Sequence, residues 1–234
     1  MNKRVNLYDD GIGFVELIDH MGTDLTIVNA ARVSFGKHKT ELEESDKKLI
    51  NYLAKHKHTS TFEHNIATFR FKVPLFVRSQ HHRHRTWSFN EISRRYTSFK
   101  IDFYQPEKYR TQHTSNRQAS NPAELINPDL KRDIRPTYAS DIVKQHNRQS
   151  LQLYNRLISA GVCREQARGV LPQNMYTEYY GTCNLNNLIK FINLRIHEGA
   201  QWEIQKVAEA TLEIAKELWP VATEAYINAR SEEK

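Results

Sequence analysis

A single α/β domain of the α+β type, with an antiparallel or mixed central sheet flanked by helices, is the fold that the sequence predicts for residues 1–234. Three observations lead there. Residues 67–73 alternate, with Phe69, Phe71 and Val73 on one face and Thr68, Arg70 and Lys72 on the other, the signature of a half-buried strand. Three stretches, 42–57, 137–160 and 204–218, carry apolar residues at helical spacing. No Gly-x-Gly-x-x-Gly follows a strand, which argues against a Rossmann-type sheet.

In chain order, Gly13–Ile18 reads as a short strand and 24–33 as a strand passing into a helical turn. Leu42, Leu49, Ile50 and Leu53 give 42–57 one apolar face and make it an amphipathic helix. The connection His58–His64 holds two histidines and one carboxylate, but its spacing is not that of a zinc site, and no metal is expected. Pro74 ends the 67–73 strand and suits the first turn of a helix from Leu75 to about His82. That helix turns Leu75, Val77 and Phe76 to the core and leaves Gln80 and Arg83 on a polar edge. Residues 104–128 are rich in Gln, Asn, Ser, Thr and Pro, so a surface loop or insertion is expected there.

A long helix over 137–160 follows, with Ile142, Val143, His146, Leu151, Tyr154, Leu157 and Ile158 as its stripe and Gly161 as its stop. Cys163–Leu171 reads as a short helix ended before Pro172, and Met175–Cys183 as a strand. Asn184 caps a helix to about Glu198. A last amphipathic helix stops at Pro220, a helical tail reaches Ala229, and residues 231–234 fray.

The formal charge of +7 points to an anionic partner: nucleic acid, a membrane surface or phosphorylated metabolites. No apolar run is long enough for a membrane span, and the start of the chain lacks the apolar segment of a signal peptide. Cys163 and Cys183 form neither metal spacing nor a disulfide framework, so inert thiols in a cytoplasmic protein are expected.

Much of the charge is concentrated. From Arg78 to Arg95 stand five arginines and three histidines, with one acid, Glu91, beside Asn90, Ser88 and Ser93. Guanidinium forks suit phosphate or carboxylate. Such a run can be a solvated basic face, a nucleic-acid patch or a pocket for one small anion. The pocket alone accounts for the interleaved Asn-Glu-x-Ser-x-Arg, because a surface that tracks a backbone needs cations and nothing more.

Arg83-His-Arg-x-x-Ser-x-Asn-Glu-x-Ser-x-Arg-Tyr96 resembles the signature of the flavin-dependent thymidylate synthases. Ala31–Phe35, His58–His64, Arg164–Arg168 with Leu171-Pro172, and Asn193–Arg195 with Ala200–Ile204 are similar to further segments of that family, in its order. The resemblance implies conversion of dUMP to dTMP, with methylenetetrahydrofolate giving the carbon and FAD, reduced by NADPH, giving the hydride. It implies no cysteine nucleophile and a homotetramer with active sites at subunit interfaces, and neither nucleic acid nor membrane as partner.

By the same resemblance Arg195 polarises the uracil. The dUMP set is Gln80, His81, His82, Arg83, Glu91, Ile92, Ser93, Arg94, Arg95, Arg168 and Arg195. The FAD set is His58, Ser60, Arg83, His84, Arg85, Asn90, Glu91, Asn184, Leu185, Asn186 and Lys190. On chemistry alone Arg195 could be a helix salt bridge and Arg168 a surface charge. Two positions depart from the family: Gly199 stands where several members carry a flavin-contacting His, and Lys190 where the residue varies.

Overall fold

Five strands pair in the order β1-β2-β3-β7-β4, every neighbour antiparallel. They are β1 (Arg4–Asn6), β2 (Phe14–Met21), β3 (Ile66–Pro74), β4 (Ser88–Glu91) and β7 (Tyr176–Asn184). The computed structural model describes residues 3–130 and 136–231. Of the two expected sheet types, the antiparallel one is found.

The alternation of β3 does what its pattern requires. Phe69, Phe71 and Val73 are buried against the helices, as are Tyr179 and Cys183 of the neighbouring β7. The other face is polar: Thr68 and Thr182 hydroxyls meet at 3.0 Å, Arg70 pairs with Glu178 at 2.8 Å and Lys72 with Asp102 at 2.7 Å. Helices α1 (Asp24–Arg32), α2 (Glu44–Lys55), α3 (Leu75–His81), α6 (Leu185–Arg195), α7 (Trp202–Leu218) and α8 (Pro220–Ser231) cover the apolar face. Phe62, Leu188, Phe191, Ile204, Ile214 and Trp219 join the core there. A smaller cluster of Tyr154, Ala167, Leu171 and Met175 sits beneath α4 (Ala139–Ser159) and α5 (Arg164–Ala167).

Four expectations are corrected. Residues 24–32 are helical throughout. A capping box between Thr23 and Thr26 starts the helix, which turns Ile27 and Val28 inward, and those two branched residues imitate a strand in the sequence. The 104–128 segment is not a plain loop but holds a hairpin of β5 (Tyr109–Gln112) and β6 (Ser120–Ile126). His146 is exposed on α4 while Asn147 and Ser150 are buried, because the inward face of the helix runs through Asn147, Ser150 and Tyr154, three and four residues apart. The 13–18 strand continues to Met21.

Gly161, at φ +90, stops α4 as expected. Helix α8 is held from both ends of its entry: the Trp219 indole donates to the Gly22 carbonyl at 2.9 Å, and Asp24 accepts from the amides of Val221 and Ala222 at 3.1 and 2.9 Å. The tail over 232–234 lies outside the described residues. Among the described residues no helix is long and apolar enough to cross a membrane.

Candidate active site

The basic stretch is folded into the sheet edge. Helix α3 ends at His81, the His84 amide closes a turn on the His81 carbonyl at 3.0 Å, and Trp87 is buried. Strand β4 then pairs with β7, Glu91 opposite Tyr179. Phe89 lies on the inner side, stacked on His82 at 4.2 Å and on Trp87 at 5.9 Å. Glu91 accepts from the Thr177 hydroxyl at 2.6 Å and pairs with Arg78 at 3.2 Å. Past the strand, Ser93 opens a turn that accepts the amides of Tyr96 and Thr97.

A cavity of about 530 Å³ opens here, lined among others by Arg78, Glu91, Ile92, Ser93, Arg94 and Arg168. Glu91 is already engaged by Arg78 and Thr177. Arg94 is buried, and its guanidinium donates to the carbonyls of Phe99 and Lys100 at 2.7 and 3.1 Å, so it clasps the following loop. Arg95 is exposed and lies 3.8 Å from Glu165. Arg168, at the mouth, has no ion-pair partner among the described residues.

On the other side of α3 a second group gathers. The Arg195 Nε–H donates to His84 Nε2 at 3.1 Å, and a terminal N–H of Arg195 donates to the Gln80 carbonyl at 3.2 Å. His84 therefore accepts, so it is neutral with its proton on Nδ1. Burial first, and the Arg195 charge second, lower its pKa to about 4. Burial and the nearby Arg83 also lower that of Arg195. The Gln80 side chain donates to that of Gln201, and Gln201 donates to Glu203 at 3.0 Å.

His81 departs from its expected place at the nucleotide. It is wholly buried, its Nδ1 is 2.8 Å from the Tyr179 hydroxyl, and Trp87, Phe89 and Phe191 surround its ring. It offers a ligand no surface and acts as the floor beneath His84. Burial, with His84 and His82 adding to it, keeps it neutral. His82 is half-buried, and its Nε2 has no partner.

Of the expected flavin residues, Asn184, Leu185, Asn186 and Lys190 lie at the cap of α6 or along it, and the others lie at the 58–64 turn, between α3 and β4 or on β4. His58 and Ser60 are exposed at the 3₁₀ turn Thr59–His64, which is joined to α6 by the bond from Asn186 to Glu63 at 2.8 Å. Asn184 caps α6 by accepting from the Asn187 amide at 2.9 Å. Leu185 is buried and its amide is taken by the Asn65 carbonyl, so it shapes the site without donating to it. Lys190, Arg83, Arg85 and Asn90 are exposed. Arg83 stands near Arg195, at the far end of α6, roughly 15 Å along the axis from Asn184.

Sequence reasoning missed Thr177, Tyr179, Gln201, Glu203 and Arg110, and it left Arg78 among the generic cations. Only the β4–β7 register brings Thr177 and Tyr179 to a motif some 86 residues earlier. For Glu203 the signal was an acid in the first turn of a helix, where it complements the dipole.

The fold and the cavity define a class: a non-Rossmann α+β protein with a cation-lined pocket at the edge strand of its sheet. Known proteins narrow it. Residues 16–221 match the family described as "Thymidylate synthase complementing protein". A flavin-dependent thymidylate synthase of Thermus thermophilus is 44% identical over 214 residues, 92% of this chain and 75% of the relative. One from Kosmotoga olearia is 45% identical over 217 residues, 92% of this chain and 90% of the relative. A crystal structure of the UMP/dUMP methylase PolB from Streptomyces cacaoi, bound with 5-Br dUMP, superposes with a TM-score of 0.79 at 32% identity, covering 96% of this chain and 97% of that one. The chain belongs to the flavin-dependent thymidylate synthase family, a family of methyl-transferring enzymes.

Proposed function

We propose that this enzyme converts dUMP to dTMP by reductive methylation, taking the carbon from methylenetetrahydrofolate and the hydride from FAD that NADPH has reduced. The observation that carries this reading is the cavity beside β4, where Arg168 has no ion-pair partner among the described residues, Glu91 being engaged by Arg78, while Ser93 shares the same walls. An uncompensated guanidinium beside hydroxyl donors suits a phosphate dianion. The solved methylase bound with 5-Br dUMP supports a uridine nucleotide as substrate.

Arg168 and Ser93 hold the phosphate, and Glu91, fixed by Arg78 and Thr177, orients what lies above it. Arg195, on the other side of α3 within a protomer, faces the base of a nucleotide whose phosphate is held by the cavity of a neighbouring subunit. A guanidinium held by neutral His84 and the Gln80 carbonyl is oriented before the base arrives, so it stabilises negative charge developing on the uracil without reorganising. That charge makes C5 nucleophilic. No thiol takes part: Cys183 is buried, which raises its pKa well above the ordinary range, and Cys163 is exposed beyond the cavity lining.

The residues present fit a flavin. Arg83 and Arg85 are exposed forks of the kind a diphosphate takes, and His58, Ser60, Asn90 and Lys190 add exposed polar groups. Bound there, the flavin supplies the hydride that reduces the transferred carbon. Because these groups stand at both ends of α6, a site completed by a neighbouring subunit accounts for them better than one protomer does, in keeping with a homotetramer.

An absorbance spectrum tests the reading: the purified protein should be yellow and bleach anaerobically with NADPH, and it should form dTMP when dUMP and methylenetetrahydrofolate are added. Arg195→Ala should retain flavin and lose about a hundredfold or more in turnover. A colourless protein, or unchanged turnover in that variant, overturns it.

A further inference from the structure

The Glu91 carboxylate is held by one of its two oxygens. Its Oε1 accepts from the Thr177 hydroxyl at 2.6 Å and lies 3.2 Å from Arg78 Nε. Its Oε2 receives no hydrogen bond from the described residues, although Glu91 lines the cavity together with Ser93 and Arg168.

The holding is built into the sheet. Thr177 is buried on β7, two residues before Tyr179, which stands opposite Glu91. Its hydroxyl therefore reaches the carboxylate along the diagonal of the β4–β7 pair. The Ile92 amide donates to the Glu178 carbonyl at 2.9 Å and closes the pairing just past Glu91. Arg78 Nε balances the charge from ion-pair range but makes no hydrogen bond, so the Thr177 hydroxyl alone fixes the direction of the acid.

A carboxylate oxygen only accepts, so whatever meets Oε2 must bring a donor. A dUMP whose phosphate is held by Arg168 and Ser93 has a donor in the 3′-hydroxyl of its sugar and another in N3–H of its base. The base is excluded: it reaches towards Arg195 of a neighbouring subunit, and an activated uracil carrying negative charge gives up that proton.

We infer that Glu91 and Thr177 restrict the site to mononucleotides with a free 3′-hydroxyl. Glu91 accepts that hydroxyl through Oε2, and Thr177 is the positioning residue that holds the carboxylate ready for it. This rests on the dUMP reading above. A 3′-deoxy sugar leaves Oε2 covered and unpaired. A 3′-phosphate sets a second anion against the carboxylate. The site thus takes the free nucleotide and refuses a deoxyuridine embedded in a polynucleotide, even though its arginines attract phosphate backbones.

The test uses the full-length, flavin-loaded protein as wild type, Thr177→Val and Thr177→Ser. Calorimetry gives dissociation constants for dUMP, 2′,3′-dideoxyuridine 5′-monophosphate and deoxyuridine 3′,5′-bisphosphate. Flavin content, melting temperature, and KM and kcat for dUMP are measured alongside. Wild type should prefer dUMP over each analogue by about tenfold or more. Thr177→Val should raise the KM for dUMP more than it lowers kcat, and should lose the preference over the dideoxy analogue while binding that analogue as wild type does. Thr177→Ser, which keeps the hydroxyl, should restore the preference. If Thr177→Val does not fold, Thr177→Ala carries the same comparison. A wild type that binds either analogue as tightly as dUMP overturns the inference and leaves the dUMP reading standing. So does a folded Thr177→Val that keeps the wild-type preference or weakens dUMP and the dideoxy analogue alike. A wild type that binds no dUMP overturns both.

Discussion

His84 and Arg195 constrain each other, and the constraint is visible as a titration. The imidazole is held neutral by burial and by the guanidinium that donates to it, with a pKa of about 4 against an ordinary 6.5. A depressed histidine favours the fold above its unfolded pKa, and this contribution is lost as pH falls from about 6.5 through about 4. In Arg195→Ala only burial remains, so the His84 pKa should rise and settle between those two values, followed by NMR of the ring. A value still near 4 would mean that the guanidinium does not reach the ring in solution. The wall of the cavity formed by Glu91, Ile92, Ser93 and Arg94 was legible at this scale because these residues are packed into one stretch. The inward turns of His81 and Arg94 were not, since a basic run does not say which of its members leave the surface: His81 is sealed among aromatic rings, and Arg94 is spent on two carbonyls.

Strand β7 carries β4, and therefore the motif, on a glycine. A methyl group added at Gly181 would come within 2.9 Å of Phe71, 3.2 Å of Trp87 and 3.3 Å of Phe89, which are rings of the floor beneath the site. Gly181→Ala should destabilise the protein by about 1–3 kcal/mol in chemical unfolding, by overpacking. It should also loosen β4, seen as faster amide exchange at Phe89 and Glu91. Elements with a clear period were readable in advance: β3, α2, α4 and α7 lie within a few residues of their expected bounds. Helix α1 was not, because its branched residues imitate a strand while the deciding signal is a cap. The β5–β6 hairpin was not either. Its apolar content is too low to register, and its half-buried Arg110 reaches a partner 93 residues away.

For the whole molecule, the sheet covers one face with helices and leaves the other polar, while Leu153, Leu194 and Tyr180 stand exposed at 47%, 59% and 45% on separate elements. With flavin-fitting groups at both ends of α6, the expected assembly is a tetramer in sedimentation, and flavin binding should weaken on dilution as subunits separate. A monomer that retains flavin at low concentration would contradict that assembly. The sheet order and the pairing across it lay beyond the sequence, since neither β3–β7 nor β4–β7 joins strands adjacent in the chain. The hairpin has a practical consequence. Its tip around Ser115 points into solvent while its base grips Glu203, so a fluorescent dye attached there, with Cys163 removed, is mechanically connected to the centre of the molecule. Such a reporter would sense loosening around Glu203 from outside, and trimming the hairpin to shorten the chain would disturb the interior it reports on.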